Sequence, residues 1–294
     1  MMRNQQGIAL VLVLWVALLM SIIAGSFALS ARTESVQSRI LFNKAQARYL
    51  AEAGLHRAVF ELRNPDPETR WIADGRNYAM ELDGAQIEIK ITDESGKIDL
   101  NQANEELLVG LFASVGVEFD EALALVDKIK DWKDADEEIS LAGAEDDDYF
   151  AAGYRHGAKD APFDTVPELI QVMDIDYELY RKIEPALTVY SGRNNVNLAF
   201  APRAVLMAID GVNGQMADEY ISQRHEIVDV NMPLPVLAEG YSGQLRGGGT
   251  TFSIVAKATL PNKQFAEIDA TIRMGGNLQG RPFRVVRWRD NEHK

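Results

Sequence analysis

The chain has 294 residues, 47% of them hydrophobic, with 44 Asp and Glu against 30 Lys and Arg. This hydrophobic content indicates a folded core rather than a disordered chain. The formal net charge of −14 argues against nucleic acid as a partner, because polyphosphate binding depends on clustered Lys and Arg that release counterions. The sequence holds no cysteine, which excludes disulfides, thiolate metal sites and cysteine nucleophiles and leaves the redox compartment open.

An almost unbroken apolar segment, residues 8–29, follows a short polar N-terminus. It is long enough to cross a bilayer as a helix, which takes about 20 apolar residues. Helical spacing of apolar residues continues beyond it until Pro65 and Pro67, which end a helix. The sequence therefore predicts one helix over Ile8–Leu62, about 80 Å long. Its outer half carries an apolar stripe of Val36, Ile40, Ala47, Leu50, Ala51, Leu55, Ala58, Val59 and Leu62.

The N-terminus has three possible fates: cleavage by signal peptidase near Ser30, an uncleaved anchor, or removal of a short leader. The boundary between polar residues, Gly7 and the apolar helix resembles the type IV pilin superfamily. That resemblance implies cleavage by a prepilin peptidase between Gly7 and Ile8. The chain differs from most members at one position: Leu12 stands at the fifth mature position, where most members carry a glutamate. A subunit without that carboxylate cannot neutralise the N-terminal amine of a subunit ahead of it, which suggests the tip of a filament.

Strand patterns stand at both ends of the part of the chain that follows this helix. Asn77–Leu82 and Ala85–Ile91 alternate around Asp83-Gly84, which is typical of a β-hairpin with a type I′ turn. Three more alternating segments lie near the C-terminus, at Thr250–Leu260, Lys263–Met274 and Pro282–Trp288. Between the two sets the apolar period is helical. Helices are predicted at Glu105–Val115, Phe119–Ile129, Pro167–Val172, Tyr177–Ile183 and Pro202–Ile209.

The sequence thus predicts an α+β fold in which a pilin-like long helix packs on an antiparallel sheet that is split by a large all-α insertion. The predicted segments are a leader at 1–7, a transmembrane helix at 8–29, its amphipathic continuation at 30–62, the sheet at 63–100 and 241–294, and the helical insertion at 101–240.

Two stretches of the helical region, Ile98–Ala103 and Val196–Ala199, each place an asparagine turn ahead of an apolar helix with glycine after it. This pattern resembles helix-hairpin-helix modules, many of which hold DNA phosphates. The acidic surroundings favour the other interpretation, in which the hairpins only pack short helices compactly. A membrane-anchored DNA-binding protein for DNA uptake therefore stays as the alternative function.

Carboxylates are concentrated between Asp131 and Tyr149 as nowhere else in the chain. A solvated acidic loop is the usual fate of such a segment. The apolar residues within it favour burial, however, and would bring the carboxylates together, which repel unless a cation binds or protons are taken up. Oxygen ligands on a loop suit Ca²⁺, although this is not an EF-hand because Ile139 stands where its loop requires glycine. The apolar residues expected to be buried are Trp132, Ile139, Leu141, Ala144 and Tyr149.

The sequence D-W-x-D-A-D followed by G-A-E-D-x-x-Y, with GKIDLNQA upstream and V-P-E-L downstream, resembles the K-type minor pseudopilins of type II secretion systems. The resemblance extends over essentially the whole chain. It implies that calcium is bound within the helical insertion. The implied ligands are Asp131, Asp134, Asp136, Glu145, Asp146 and Asp148.

The same resemblance implies a non-catalytic component that forms the tip of the periplasmic pseudopilus and helps to initiate its assembly for protein export across the outer membrane. The chain would be a single-pass protein of the inner membrane with its bulk in the periplasm. Implied partners are the I-, J- and H-type minor pseudopilins, the prepilin peptidase and the inner-membrane assembly platform, with no nucleic acid. An enzyme is not expected, because the histidines are scattered and a Mg²⁺-dependent hydrolytic site would have only Lys133 nearby to bind substrate.

Overall fold

A computed structural model describes residues 6–228, 232–237, 248–276 and 280–291 of the chain. Its first element is a single helix, α1 (Gln6–Leu62), so the predicted long helix is confirmed. Within the described residues, α1 is the one helix long and apolar enough to cross a membrane, and its most apolar 18-residue window is entirely unburied. Residues 1–5 of the predicted leader lie outside the described residues.

The outer half of α1 packs on a sheet and supplies one layer of a hydrophobic core. Packing begins at Ala47, whereas Val36 and Ile40 of the predicted stripe are exposed. The stripe therefore extends about three helical turns beyond the surface that covers it. A Cβ added at Gly54 would lie 2.8 Å from Cγ2 of Ile87, so glycine lets α1 approach the sheet closely. The buried residues of α1 are Ala47, Leu50, Ala51, Leu55, Ala58, Val59 and Glu61.

The sheet is antiparallel with strand order β1-β2-β5-β6-β7. The predicted hairpin is confirmed, since Asp83 and Gly84 have φ of 51° and 75° and Leu82 pairs with Ala85. The three C-terminal strands are also confirmed, and β2 pairs directly with β5 although many residues separate them in sequence. The strands are β1 (Asp74–Leu82), β2 (Ala85–Asp93), β5 (Thr251–Thr259), β6 (Phe265–Arg273) and β7 (Arg284–Asn291).

The helical insertion runs from the end of β2 to the start of β5 and has its own hydrophobic core. Its helices are α2 (Glu105–Ser114), α3 (Phe119–Lys133), α4 (Asp146–Ala151), α5 (Tyr177–Ile183), α6 (Arg203–Met207) and α7 (Gly214–Glu226), with 3-10 turns at Glu94–Gly96, Val166–Gln171 and Glu184–Ala186 and a short parallel pair of β3 (Ile98–Asp99) and β4 (Leu187–Thr188).

Two helices of the insertion, α4 and α7, were not predicted. Helix α4 opens with three consecutive aspartates, which the sequence interpretation assigned to a loop. Helix α7 buries only Ala217, Tyr220 and Arg224, so its apolar stripe is too thin to give a helical period.

Arg224 of α7 joins the insertion to the sheet although its side chain is almost completely buried. Its guanidinium donates to the carbonyl oxygens of Leu198, Ala201 and Asp74 at 3.0, 2.9 and 3.1 Å. The Asp74 carboxylate lies 3.8 Å from Nε of Arg224 and is paired with Arg76 at 2.8 Å. These contacts fix the last described helix of the insertion against the first strand of the sheet.

Candidate functional site

The acidic segment begins on the last turn of α3, whose apolar face is buried in the insertion. Asp131 lies on this turn and is completely buried. Asp134 ends the helix, and its N–H donates to the carbonyl of Lys130 at 3.1 Å. A buried carboxylate and a carboxylate at the end of the helix are thus fixed by the same element.

Asp131 holds the following loop against α3. Its Oδ2 and Oδ1 accept the N–H of Ser140 at 3.1 and 3.3 Å. A Cβ added at Gly143 would overlap this carboxylate, so glycine allows the loop to pass over Asp131. The loop therefore returns to the helix it left, and it brings the Glu145 region back toward Asp131.

Glu145 is a buried carboxylate without compensation. It is 4% exposed, and neither of its side-chain oxygens has a hydrogen-bond partner among the described residues. Burial raises its pKa from 4.5 to about 7, and the neighbouring charges of Asp131 and Asp134 add to that rise. Oδ1 of Asp134 is also buried without a partner in the described part of the chain, and burial together with Asp136 and Asp131 raises the pKa of Asp134.

The other three predicted ligands lie further from this centre or are already engaged. Asp136 is exposed, and its Oδ1 accepts the N–H of Glu138 at 3.0 Å. Asp146 is half-buried against Gly157, where an added Cβ would overlap its carboxylate. Asp148 is half-buried, and its Oδ2 accepts the N–H of Glu145 at 3.1 Å, whereas the adjacent Asp147 is exposed.

Asp160 is a member of the cluster that the sequence interpretation missed. Its N–H donates to the carbonyl of Trp132 at 3.2 Å, which brings it back to the end of α3. Its charge contributes to the raised pKa of both Asp134 and Glu145. The acidic segment gives no spacing signal for it, because the chain passes through α4 before it returns.

The carboxylate oxygens of these residues are the type of ligand atom that a hard cation binds. Buried carboxylate oxygens without partners at Glu145 and Asp134 are the atoms that such an ion would satisfy, and oxygen ligands are those that Ca²⁺ takes. As they stand, no group of three or more His, Asp or Glu side chains in the described ranges is arranged to hold a metal. Binding therefore requires the carboxylates to close around the ion.

An aromatic cluster packs beneath the carboxylates. Trp132, Tyr149 and His156 lie with ring centroids 5.7 Å apart in each pair, so Trp132 and Tyr149 are buried as predicted, with Ala144 beside them. The prediction was wrong for Ile139 and Leu141, which are 59% and 102% exposed. They lie on the loop that passes outside α3, where no core surface is available to cover them.

The helix-hairpin-helix pattern does not give a phosphate site. Gly116 at the α2–α3 turn has φ of 95°, as such a turn requires. Glu118, Asp120 and Glu121 follow it and are exposed. Their charge repels phosphate, so the hairpins support packing of the insertion rather than DNA binding.

Comparisons with known proteins address the identity of the chain. A family model described as "Type II secretion system (T2SS), protein K" matches residues 88–192. Type II secretion system protein K of Klebsiella pneumoniae is 28% identical over 232 residues, which cover 71% of each chain. The protein K of Pseudomonas aeruginosa is 26% identical and covers 76% of this chain and 74% of its own. The chain is thus similar to the type II secretion system protein K family, by a family model over residues 88–192 and by relatives 26–28% identical to it.

A solved structure agrees in fold. The crystal structure of the GspK-GspI-GspJ complex from enterotoxigenic Escherichia coli contains a chain that matches this one with a TM-score of 0.57 and 18% identity. The match covers 90% of this chain and 99% of that one. The fold of a long helix, antiparallel sheet and helical insertion is therefore shared with a chain of that complex.

The match to the protein K family model coincides with the candidate site. Residues 88–192 include all six predicted ligands and Asp160. Helix α1 begins at Gln6, so the backbone of Gly7 and Ile8 lies in its first turn. Nothing in the fold of the described residues tests cleavage at that bond, which stays a prediction.

Proposed function

We propose that this chain is a minor pseudopilin that forms the tip of the periplasmic pseudopilus of a type II secretion system and helps to initiate pseudopilus assembly. Similarity to type II secretion system protein K, in the family model over residues 88–192 and in curated relatives, carries the proposal. The exposed apolar half of α1 supports it, since its most apolar 18-residue window packs on no other described part of the chain and requires lipid or neighbouring helices. The chain then acts as an assembly component rather than an enzyme.

A position at the tip follows from the chemistry of the N-terminus. Leu12 offers no carboxylate to a neighbouring N-terminal amine in the apolar surroundings of a helix bundle. A subunit of this kind is disfavoured within the filament, where each subunit has another ahead of it. The insertion adds a second, broad body to the far side of the sheet, which would obstruct further subunits there.

Processing by prepilin peptidase is tested by mass spectrometry of the N-terminal peptide from the protein in its native membrane. A chain that starts at Ile8, with or without N-methylation, supports the pseudopilin assignment. A start near Ala31 indicates a secreted protein, and an intact Met1 or Met2 indicates a simple anchor. Either of these two results contradicts the proposed place in a pseudopilus.

The proposed partners are the I- and J-type minor pseudopilins, by analogy with the GspK-GspI-GspJ complex, followed by the H type, the inner membrane and the assembly platform. Co-expression with the I and J types from the same genome tests the closest of these contacts. A ternary complex on size exclusion supports the proposal. If all three proteins are co-expressed and the I and J types elute together without this chain, the proposal is contradicted.

We further propose that the acidic cluster binds calcium as a structural staple. The uncompensated burial of Glu145 and Asp134 next to Asp131 supports the proposal. These three residues would hold the ion, with Asp136, Asp146, Asp148 and Asp160 as the further carboxylates within the same segment. When bound, calcium neutralises the carboxylates and links the loop to α3, so that binding energy adds to folding stability.

Thermal unfolding of the full chain in detergent micelles tests the staple. Addition of calcium to chelator-treated protein is expected to raise the melting temperature, and magnesium at the same concentration is expected to raise it less. The metal content of the starting sample is measured first. An unchanged melting temperature when EDTA removes metal from a loaded sample contradicts the proposal.

A further inference from the structure

Leu141 is the most exposed large apolar side chain of the described residues, at 102%. It lies in the turn closed by the N–H of Gly143, which donates to the carbonyl of Ser140 at 3.0 Å. Ile139, two residues earlier, is 59% exposed. Single exposed apolar residues are ordinary, but two on one turn beside a larger apolar surface indicate a contact surface.

This turn is held rigidly to α3 by two carboxylates one helical turn apart. Asp131 accepts the N–H of Ser140, and Oδ2 of Asp127 accepts the N–H of Ala142 at 3.0 Å. With both of these N–H groups bound to the helix, the intervening Leu141 side chain is directed into solvent. The loop thus presents Leu141 from a defined position, which lowers the entropy lost when a partner binds.

The apolar surface continues along α3. Asp127, Leu123 and Phe119 follow one another at four-residue spacing and therefore lie on one face of the helix. Leu123 and Phe119 are 41% and 63% exposed. We call Phe119, Leu123, Ile139 and Leu141 the α3 strip.

The charge around the α3 strip is strongly negative. Apart from the six carboxylates assigned to calcium, residues 118–148 hold seven Asp and Glu against three Lys. The seven are Glu118, Asp120, Glu121, Asp127, Glu137, Glu138 and Asp147. One of the three lysines, Lys128, is already paired with Asp174. A partner with positive charge is attracted to such a surface, and a second copy of the chain is repelled by it.

We propose that the α3 strip is a docking surface for a protein segment whose apolar side chains are flanked by Lys and Arg. Leu141 is the anchor that the partner covers, and the surrounding carboxylates select and orient the cationic flanks. The surface lies on the opposite side of α3 from the buried core of the insertion, so docking needs no change in the fold.

The test uses the full chain in detergent micelles and a fluorescent synthetic amphipathic peptide of leucine and lysine, with a leucine–glutamate peptide of the same length for comparison. The wild-type chain is expected to bind the lysine peptide, and Leu141→Ser is expected to weaken that binding about tenfold or more, because leucine burial contributes this much. Added salt should also weaken it. Tyr177→Ser removes another exposed apolar side chain, 58% exposed and on α5, outside the α3 strip, and serves as the matched control.

The outcomes separate docking from nonspecific adsorption and from self-association. The proposal is overturned if wild type and Leu141→Ser bind the lysine peptide equally, or if wild type binds the two peptides equally. Binding of peptide to the micelles themselves is the same for both proteins and cancels in the comparison. Self-association that is lost in Leu141→Ser would assign the surface to a second copy and overturn the cationic partner. Because Leu141 is exposed, Leu141→Ser should keep the wild-type melting temperature, which shows that it folds. Phe119→Ser repeats the binding test at the other end of the α3 strip. Measurements with calcium and after chelation keep the result separate from the calcium proposal.

Discussion

Replacement of Glu145 by Gln is expected to have opposite effects on stability with and without calcium. Gln keeps the size of the side chain and removes the charge, which in the metal-free protein is buried without a hydrogen-bond partner among the described residues. Without calcium the variant should therefore be more stable than wild type. With calcium it should be less stable, because a ligand oxygen has lost its charge.

The size of the metal-free effect follows from the raised pKa of Glu145. The shift from 4.5 to about 7 corresponds to about 3 kcal/mol at 1.36 kcal/mol per pKa unit, and the buried amide recovers only part of it, which leaves about 1–3 kcal/mol. When folding raises the pKa of an acid, its charged form destabilises the folded state. This destabilisation is complete at pH values above the pKa in the folded state and disappears below the pKa in the unfolded state. The advantage of the variant should thus be complete above about pH 7 and vanish near pH 4.5.

Urea unfolding of wild type and Glu145→Gln, each in EDTA and in calcium, measures the effect. Asp147→Asn is the matched control, because Asp147 is exposed in the first turn of α4, two residues from Glu145, and its charge should contribute little. If Glu145→Gln equals wild type in EDTA above pH 7, the carboxylate is compensated in solution and the reasoning fails. If calcium stabilises both proteins equally, Glu145 is not a ligand.

Three further substitutions test the packing that supports the site. Arg224→Met should cost about 3 kcal/mol in chemical denaturation, because it leaves the carbonyl oxygens of Leu198, Ala201 and Asp74 without their donor. A loss below about 1 kcal/mol would show that these groups find other partners. Gly110→Ala should lower the melting temperature although alanine favours helices by about 1 kcal/mol, since the new Cβ overlaps the carbonyl oxygen of Ala208 and overpacking costs about 1–3 kcal/mol. Stabilisation would contradict that close approach. Gly84→Ala should cost about 1 kcal/mol in the same assay because its φ is 75°, and a neutral result would argue against the turn.

The long helix and the sheet could be predicted from sequence because each has a sustained period. The apolar stripe of α1 extends over many turns, and the strands alternate on both sides of a recognisable turn. Helix α7 could not be predicted in this way. Its buried face includes Arg224, whose partners are carbonyls distant in sequence, so no apolar pattern marks it.

The location of the candidate site was predictable, but its chemistry was only partly so. The concentration of carboxylates marked the segment, and Trp132, Ala144 and Tyr149 within it are buried as expected. Which carboxylates lack partners depends on where the loop returns, as at Asp160, and local sequence does not contain that information. Ile139 and Leu141 were expected in the core from residue type alone, and they are exposed because Asp131 and Asp127 bind the N–H groups on either side of Leu141, those of Ser140 and Ala142.

The sheet tolerates a large insertion because the insertion leaves and rejoins it at one point. Asp93 at the end of β2 lies opposite Phe252 near the start of β5, so the two ends of the insertion are neighbours in the sheet. The Asp93 carboxylate binds both ends, accepting the N–H of Ser95 at 2.8 Å and the N–H of Gly249 at 2.7 Å. Arg224 of α7 adds a third contact beside this junction, because it binds the carbonyl of Asp74, which pairs with Thr92 next to Asp93. These contacts hold the insertion, with the candidate calcium site and the α3 strip, in a defined position relative to the sheet and to α1, which packs on it.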